Sequence, residues 1–448
     1  MIIKSLSEEL YKVYVVTNDD SVKKIGQIPT KRSTEDFFIK GTGQDASSFF
    51  IFFGITSEVV VLLLDKSSFE MRWVVYPNIM NSQKERLLNS FIVKNKYYTL
   101  IGNKKTDEIS FYQFTVTIDS LQKKTIKFKG ENNEYDLLNG NYFVFENGKD
   151  NSIYRSTSLH KIFEMADNKF LLIAESDGSG KFIRGVYFFE YDFDHLTMQK
   201  NKLIDEIYRV PATKQIGKGF VNAEAYSTNS FIHGNKFYKM WMHDSILINV
   251  YDLKDLSLAK QILLTEQTFT QNTSGHFRIN DNKGYALGFL DLNRFLNKRK
   301  DSSNLTNGKY IMRQLRKGTA VICANGKDEN ITLGIGTEII EYSGGGGFVG
   351  FGGGRTIMTP SGPGFLPGMS TSGSGGRYVS GENIKYFNLT LNPTGEAYTP
   401  VFEKIDDFVN NKDDDFKHLE NYPNSIYKLG DKYVLSFLYK KNFYRYTF

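Results

Sequence analysis

Apolar and aromatic residues along this chain come in runs of roughly four to eight, each bounded by clusters of Asn, Asp, Gly, Ser and Lys, which is the pattern of short β-strands joined by tight turns. Two anchors recur. The first is a polar turn, a Lys and then an aromatic-rich run: Lys94-Asn95-Lys96-Tyr97-Tyr98, Asp167-Asn168-Lys169-Phe170, Gly234-Asn235-Lys236-Phe237, Asp281-Asn282-Lys283-Gly284-Tyr285 and Gly430-Asp431-Lys432-Tyr433. Asn, Asp and Gly tolerate the positive φ of hairpin turns, so each copy predicts the start of a second strand in a repeated unit. The second anchor is an apolar run, a short polar turn and a further strand, which predicts an outer hairpin. Its copies are Val59–Leu64 before Asp65, Phe114–Ile118 before Asp119, Val186–Phe193 before Asp194, Ile246–Leu253 before Lys254-Asp255, and Ile384–Leu391 before Asn392.

The closing turns at Asp65, Asp119, Asp194, Asp255 and Asn392 stand 54, 75, 61 and 137 residues apart, and the last step has room for two units. The irregular unit inside it draws its strands from His276–Leu290 and Lys309–Ala324. At the C-terminus, Tyr433–Tyr439 and Asn442–Phe448 read as early strands without a closing hairpin. At the N-terminus, Tyr11–Thr17 and Val22–Ile28 read as a hairpin without early strands, so the two ends are expected to share one unit. The units are then 36–80, 81–130, 138–208, 216–268, 272–334, 335–410 and a shared unit of 420–448 with 8–32.

This organisation resembles the β-propeller superfamily over essentially the whole chain. It implies an all-β fold, a single seven-bladed β-propeller domain spanning 1–448 and closed by pairing N- and C-terminal strands in one blade. The Gly-His and Trp-Asp pairs of WD40 units and the double Gly of Kelch units are absent from the equivalent positions. Propellers host enzymes, receptors and scaffolds alike, so the fold leaves the function open.

Composition agrees with strands: 36 Phe and 27 Tyr bring the aromatic content to 15%, against nine Pro. A net charge of +6, from 56 basic and 50 acidic residues, does not mark a nucleic-acid-binding surface. The local basic stretch Arg294–Lys317 reads as a solvated loop and strand edge. The single cysteine, Cys323, lies in the apolar run Ala320–Ala324 and reads as a buried structural thiol. The longest apolar run, Val59–Leu64, is of strand length and far short of a membrane helix. Met1-Ile2-Ile3-Lys4-Ser5 lacks the features of a signal peptide, which places the protein in the cytoplasm if this start is native and in a periplasm if the chain is a processed form.

The six histidines, at 160, 195, 233, 243, 276 and 418, form no constellation with a nucleophile. His233 and His243 sit at opposite ends of one extended run, about 26 Å or more apart, too far for a common metal. Glu175-Ser176-Asp177-Gly178-Ser179-Gly180-Lys181 lacks the first Gly and the final Ser or Thr of a phosphate loop and reads as a turn. Asp413-Asp414-Asp415 lacks the Gly and terminal Glu of a calcium loop. The expectation is a non-catalytic protein with no cofactor and no metal.

The unusual feature is Ser343–Gly381, placed inside blade six, with 15 of the 39 Gly, three of the nine Pro and no acidic residue. Unlike a plain Gly/Ser linker it displays Phe348, Val349, Phe351, Ile357, Met358, Phe365, Leu366 and Met369, with Arg355 among them. Glycine permits close backbone approach and the apolar residues can be buried there, so these nine positions are the expected partner-binding residues. A propeller with such an insertion resembles the plug subunit of the type 9 secretion translocon. That resemblance implies a protein partner in a larger or membrane-associated assembly, and a pore-sealing role in protein secretion. Two other readings stay open: a carbohydrate-binding, hydrolytic or lyase propeller with its site at the central channel, drawing on Asp177, His233 and Arg184, and a virion component.

Overall fold

In the computed structural model the described residues are 2–5, 10–16, 22–29, 31–32, 35–36, 38–54, 58–77, 79–80, 84–116, 120–131, 134–166, 168–176, 182–204, 227–243, 245–267, 274–282, 299–304, 308–316, 318–327, 330–344, 357–359, 362–364, 377–391, 401, 404–405, 408, 424–429, 432–439 and 442–448.

Successive stretches of chain form antiparallel meanders. Sheet I holds β1 (Ile2–Ser5), β2 (Leu10–Val16) and β3 (Val22–Pro29). A two-residue ladder of β4 (Lys31–Arg32) with β5 (Glu35–Asp36) leads to sheet II, formed by β6 (Phe38–Gln44), β7 (Ser48–Gly54), β8 (Val59–Asp65) and β9 (Met71–Tyr76). Sheet III is β10 (Glu85–Val93), β11 (Lys96–Asn103), β12 (Glu108–Val116) and β13 (Leu121–Lys129).

Sheet IV begins with β14 (Tyr142–Phe145), parallel to β15 (His160–Ala166), and continues through β16 (Lys169–Ser176), β17 (Gly185–Asp192) and β18 (Thr197–Ile204). Sheet V is β19 (Ser227–His233), β20 (Lys236–Met242), β21 (Ile246–Asp252) and β22 (Leu258–Leu264).

The predicted turn chemistry appears where it was expected. Lys94 and Asn95 adopt φ of 44° and 64°, Asn168 58° and Gly234 58°, so the three hairpins leading into β11, β16 and β20 each place a permissive residue in the left-handed region. The outer turns are pinned by a carboxylate. Asp65 accepts the backbone N–H groups of Ser67 and Ser68 at 2.8 Å each, and Asp192 those of Asp194 and His195 at 2.9 and 3.1 Å. Asp252 accepts that of Lys254 at 3.1 Å. Phe69, Leu196 and Leu256 follow at φ of 61°, 55° and 57°. In sheets IV and V the pinning Asp therefore closes the strand itself, two or three residues ahead of the Asp194 and Asp255 that spacing alone selects.

Each sheet buries a face against the next. Val13 and Ile28 of sheet I pack on Ile51, Phe53, Val60 and Leu62 of sheet II. The opposite face of sheet II, with Phe52, Val59, Val61 and Leu63, packs on Tyr97, Ile101 and Phe114 of sheet III. This explains why Val59–Leu64 reads as an unbroken apolar run: β8 is covered on both faces, so neither set of alternating positions meets water. Phe91, Leu100 and Phe111 of sheet III then meet Phe170, Leu172 and Phe189 of sheet IV, and Phe163, Ile173 and Phe188 of sheet IV share a core with sheet V. Meanders stacked face to face in chain order are the blades of a β-propeller.

Three expectations need correcting. The stretches 272–334 and 335–410 do not form two blades. β23 (Ser274–Asn282), β24 (Arg299–Asn304), β25 (Thr319–Lys327), β26 (Asn330–Gly344) and β29 (Arg377–Leu391) make one sheet VI in the order β24-β23-β29-β26-β25. The spacing rule assumes that strands adjacent in sequence pair, whereas β23 skips forward to β29, Asp281 facing Asn383. Between β26 and β29 lies a small hairpin of β27 (Ile357–Thr359) and β28 (Gly362–Gly364).

Second, Lys309–Leu315 is not strand. Gly308–Leu315 is a helix that buries Ile311, Met312 and Leu315 at helical spacing, and the strand proper starts at Thr319.

Third, the chain ends do not share a sheet among the described residues. β1 gives the N-terminal hairpin an extra strand, and β30 (Asn424–Leu429), β31 (Lys432–Tyr439) and β32 (Asn442–Thr447) form a separate sheet VII. Leu435 and Phe437 of sheet VII bury against Ile405.

Candidate functional site

The Gly-rich stretch is mounted on the longest ladder among the described residues. β26 and β29 are 15 residues each and pair from Ile331 with Leu391 to Gly344 with Arg377. β25 accompanies β26 only as far as Glu338, and β23 accompanies β29 only from Glu382 onwards. Among the described ladders, residues 341–344 and 377–381 therefore pair with each other alone. At ~3.3 Å per residue this two-stranded ribbon outruns its neighbours by about 15 Å. A register shift between Glu341 and Tyr342 marks a bulge partway along it.

The close approach of the two arms is set lower down, at Gly336. A Cβ there would lie 2.4 Å from the Lys385 carbonyl oxygen and 2.6 Å from the Tyr386 Cβ, so no other residue fits without moving the backbone. Of the nine expected partner-binding residues, Ile357 and Met358 fall in β27. Phe348, Val349, Phe351, Arg355, Phe365, Leu366 and Met369 lie outside the described residues.

A second cluster, which the sequence reading missed, sits where sheets IV, V and VI meet. Its centre is the edge of β25, whose Ala320 to Ala324 are all buried. An edge strand leaves every second carbonyl and N–H without a ladder partner. Here side chains from the neighbouring sheets take their place. Asn229 Nδ2 donates to the Ala320 carbonyl at 2.8 Å, Ser156 Oγ to the Ile322 carbonyl at 2.5 Å, and Asn151 Nδ2 to the Ala324 carbonyl at 3.3 Å. The Ala320 N–H donates to Ser227 Oγ at 2.5 Å. Cys323 is buried as expected, its sulfur 3.4 Å from the Asn151 carbonyl.

Behind Asn229 lies a group of buried charges. Lys161 of β15 donates from Nζ to Asn229 Oδ1 at 2.7 Å and to the Ser158 carbonyl. Glu175, at the end of β16, accepts from Lys239 Nζ, from Ser230 Oγ at 2.5 Å and from Thr228 Oγ1 at 3.2 Å. The Lys239 and Glu175 side chains are 1% and 2% exposed, so the pair is dry.

Burial pushes the Glu175 carboxyl up, but Lys239 and Lys161 outweigh it and hold the group below the usual range. Burial also pulls the Lys161 amine down to about 7, despite the attraction of Glu175. Burial lowers neighbouring His160 as well, against the hydrogen bond its Nε2 shares with the Leu137 carbonyl at 2.8 Å. The sequence signal for this cluster was a Lys set directly against buried apolar strand residues, Lys161 before Ile162-Phe163 and Lys239 before Met240-Trp241. In a strand buried on both faces, such a charge has to find a partner.

The remaining candidates are scattered. His195 Nδ1 contacts Asp192 Oδ2 at 2.9 Å in an outer turn. His233 ends β19 half-buried, its ring pushed down by burial. Arg184 stands just before β17, and His243 accepts from Arg316 Nε at its carbonyl, 3.0 Å away. His276 lies in β23 opposite Asn304. Asp177 and His418 are outside the described residues, as are Arg294, Lys298 and Lys317 of the basic stretch; Arg313 and Arg316 of that stretch are exposed. Among the described residues no three His, Cys, Asp or Glu gather as a metal site, and no helix is long and apolar enough to cross a membrane.

No family model matches the chain, and no curated protein matches it. Among solved structures it is similar to the β-propeller domain of Nup133 from Vanderwaltozyma polyspora, at 9% identity over 57% of this chain and 69% of that one, with a TM-score of 0.28. It is similar to the WD40 domain of SCAP from fission yeast at 8% identity, over 100% of this chain and 86% of that one, with a TM-score of 0.28. The β-propeller domain of the Trilobed protease from Pyrococcus furiosus aligns at 10% identity over 67% and 77% of the two chains, with a TM-score of 0.25. Likenesses this distant carry no weight for function, and the blade architecture stands on the stacked sheets themselves.

Proposed function

We propose that this propeller is a non-catalytic interaction subunit, and that the stretch 345–376 at the tip of the β26–β29 ribbon is its contact with a protein partner. The observation that supports this reading is the mounting. A glycine-rich, acid-free, aromatic-bearing stretch is carried on a pair of strands that extends beyond its sheet, with its two ends held side by side at Gly344 and Arg377. Such a segment can follow the contour of a groove or pore in a larger assembly while the blades stay rigid. The role implied by the resemblance to the secretion plug is one form of it. The polar groups at the sheet IV, V and VI junction are spent on one another and on the edge of β25, which favours a structural task for them over a catalytic one.

The test uses the register. Because Gly344 faces Arg377, residues 345–376 can be replaced by an Asn-Gly turn without disturbing the ladder below. Proteins that co-purify with the tagged full-length chain should be lost from the shortened one while its circular dichroism and thermal midpoint stay unchanged. Retention of the same partners by a folded, shortened chain overturns the proposal.

A further inference from the structure

The junction of sheets IV, V and VI holds two amines and one carboxylate in a site that excludes water. Around Lys161 Nζ the described residues offer two acceptors, Asn229 Oδ1 at 2.7 Å and the Ser158 carbonyl. A neutral amine has two N–H groups and is fully used by that pair; an ammonium has a third, with no acceptor to receive it. The charged groups facing Lys161 are Glu175 from β16 and Lys239 from β20, with the thiol of Cys323 from β25 and the ring of His160 on its own strand. Glu175 is already engaged by Lys239, so a proton on Lys161 adds an uncompensated charge next to a like one.

Asn229 transmits that difference. Its Oδ1 takes the Lys161 hydrogen bond, and its two N–H groups go to the Ser156 carbonyl at 3.1 Å and the Ala320 carbonyl at 2.8 Å. Every polar atom of the amide is committed, so the side chain can hold the edge of β25 only while Lys161 keeps its place.

We infer that Lys161 and Asn229 form a proton-operated latch that fastens β25, and with it sheet VI, to sheets IV and V: closed when Lys161 is neutral, loosened when it is protonated. The latch stands apart from the proposed contact at residues 345–376, and neither depends on the other.

The sign follows from linkage. In the closed junction the amine titrates near 7, whereas an exposed lysine titrates at ~10.4. Between those values the opened form binds more protons, so opening becomes about tenfold easier for each pH unit of acidification, and the effect levels off below about 7.

Hydrogen exchange read by mass spectrometry on peptides covering 227–233 and 319–327, corrected for intrinsic rates, should lose about fiftyfold in protection from pH 9 to pH 7. Peptides in sheet II should not follow. Lys161→Met should give protection that no longer varies with pH. A flat wild-type profile, or the same slope in the Met variant, overturns the inference.

Should the Met variant fail to fold, the wild-type chain labelled with 13C at lysine Cε provides the check. One lysine signal with a midpoint near 7 is expected, and it should persist in Lys40→Arg, which removes the other burial-lowered lysine, at about 8. No lysine titrating below 9 in the Lys40→Arg protein overturns the latch.

Discussion

At Glu175 a single carboxylate neutralises a site shared with two lysines, and its neighbours Ser230 and Thr228 have turned their hydroxyls toward it. Glu175→Gln leaves Lys239 buried without a counter-charge, which costs about 3–5 kcal/mol. Urea unfolding of this variant should show the loss, and adding Lys239→Met should recover most of it, since the unpaired buried charge is then gone and the Gln amide keeps the Ser230 and Thr228 hydroxyls as partners. Phe111 makes a different contribution. It is fully buried, and its ring lies within 4.8–6.1 Å of the rings of Phe91, Tyr98, Phe170, Tyr191 and Phe193. Phe111→Ala should cost about 3–5 kcal/mol by the same measurement, because the cavity opens between two sheets that cannot close over it. Asn168 tests the turn. Its φ of 58° is one that Ala resists at about 1–2 kcal/mol, and its amide also donates to Asp194 at 2.8 Å. Asn168→Gly should therefore retain more stability than Asn168→Ala, and equal losses would show that the side-chain contacts, not the backbone, set the preference.

Strands and hairpins were the most legible level. The Asn-Lys turns and the polar closing turns each marked a hairpin that the structure contains in sheets III, IV and V, because the left-handed residue, the strand-initiating Lys and the apolar run act within a few residues of each other. Lys169 and Lys236 even reach the pinning carboxylates of their own units, Asp192 at 3.0 Å and Asp252 at 3.1 Å. What sequence could not reveal is pairing across distance. β29 carries buried apolar residues on both faces, and nothing local to Ile384–Leu391 distinguishes a strand lying between β23 and β26 from one closing its own blade. The helix Gly308–Leu315 was hidden for a similar reason: with Ile311 and Met312 adjacent, its apolar pattern over a short stretch fits a strand almost as well. The crossing of β26 and β29 offers a check on sheet VI. Gly336→Val should disrupt it, lowering the thermal midpoint and the protection of β25, whereas Gly148→Ala, where a Cβ would meet nothing within 4 Å but φ is 71°, should cost no more than local turn strain.

From sheet I to sheet V, each sheet is the roof of the one before it. Removing residues 1–32 would uncover Ile51, Phe53, Val60 and Leu62 of sheet II, and the shortened chain should bind a hydrophobic dye and self-associate where the full chain does not. An unchanged dye response would mean that sheet I adds little cover. The stacked-blade architecture was legible from the two anchors, which recur from unit to unit at uneven steps. The polar junction was not, since its members come from strands far apart in the chain: Lys161 and Lys239 each mark a buried charge in need of a partner, but nothing local identifies Glu175 or Asn229 as that partner. Sheets II to V are made of strands joined to their nearest neighbours, so each can take shape as soon as its own stretch of chain has been synthesised. Sheet VI is different: β23 can pair locally with β24, but it joins the rest of the sheet only when Ser274 meets Asn388 of β29, and β25 finds its place between sheets IV and V only when all three are present. Long-range pairing of this kind is slow relative to local hairpins. Refolding should thus show a fast phase for the local meanders and a slow one for the centre, and during that interval the bare edge of β25 is the part of the chain most in need of a chaperone.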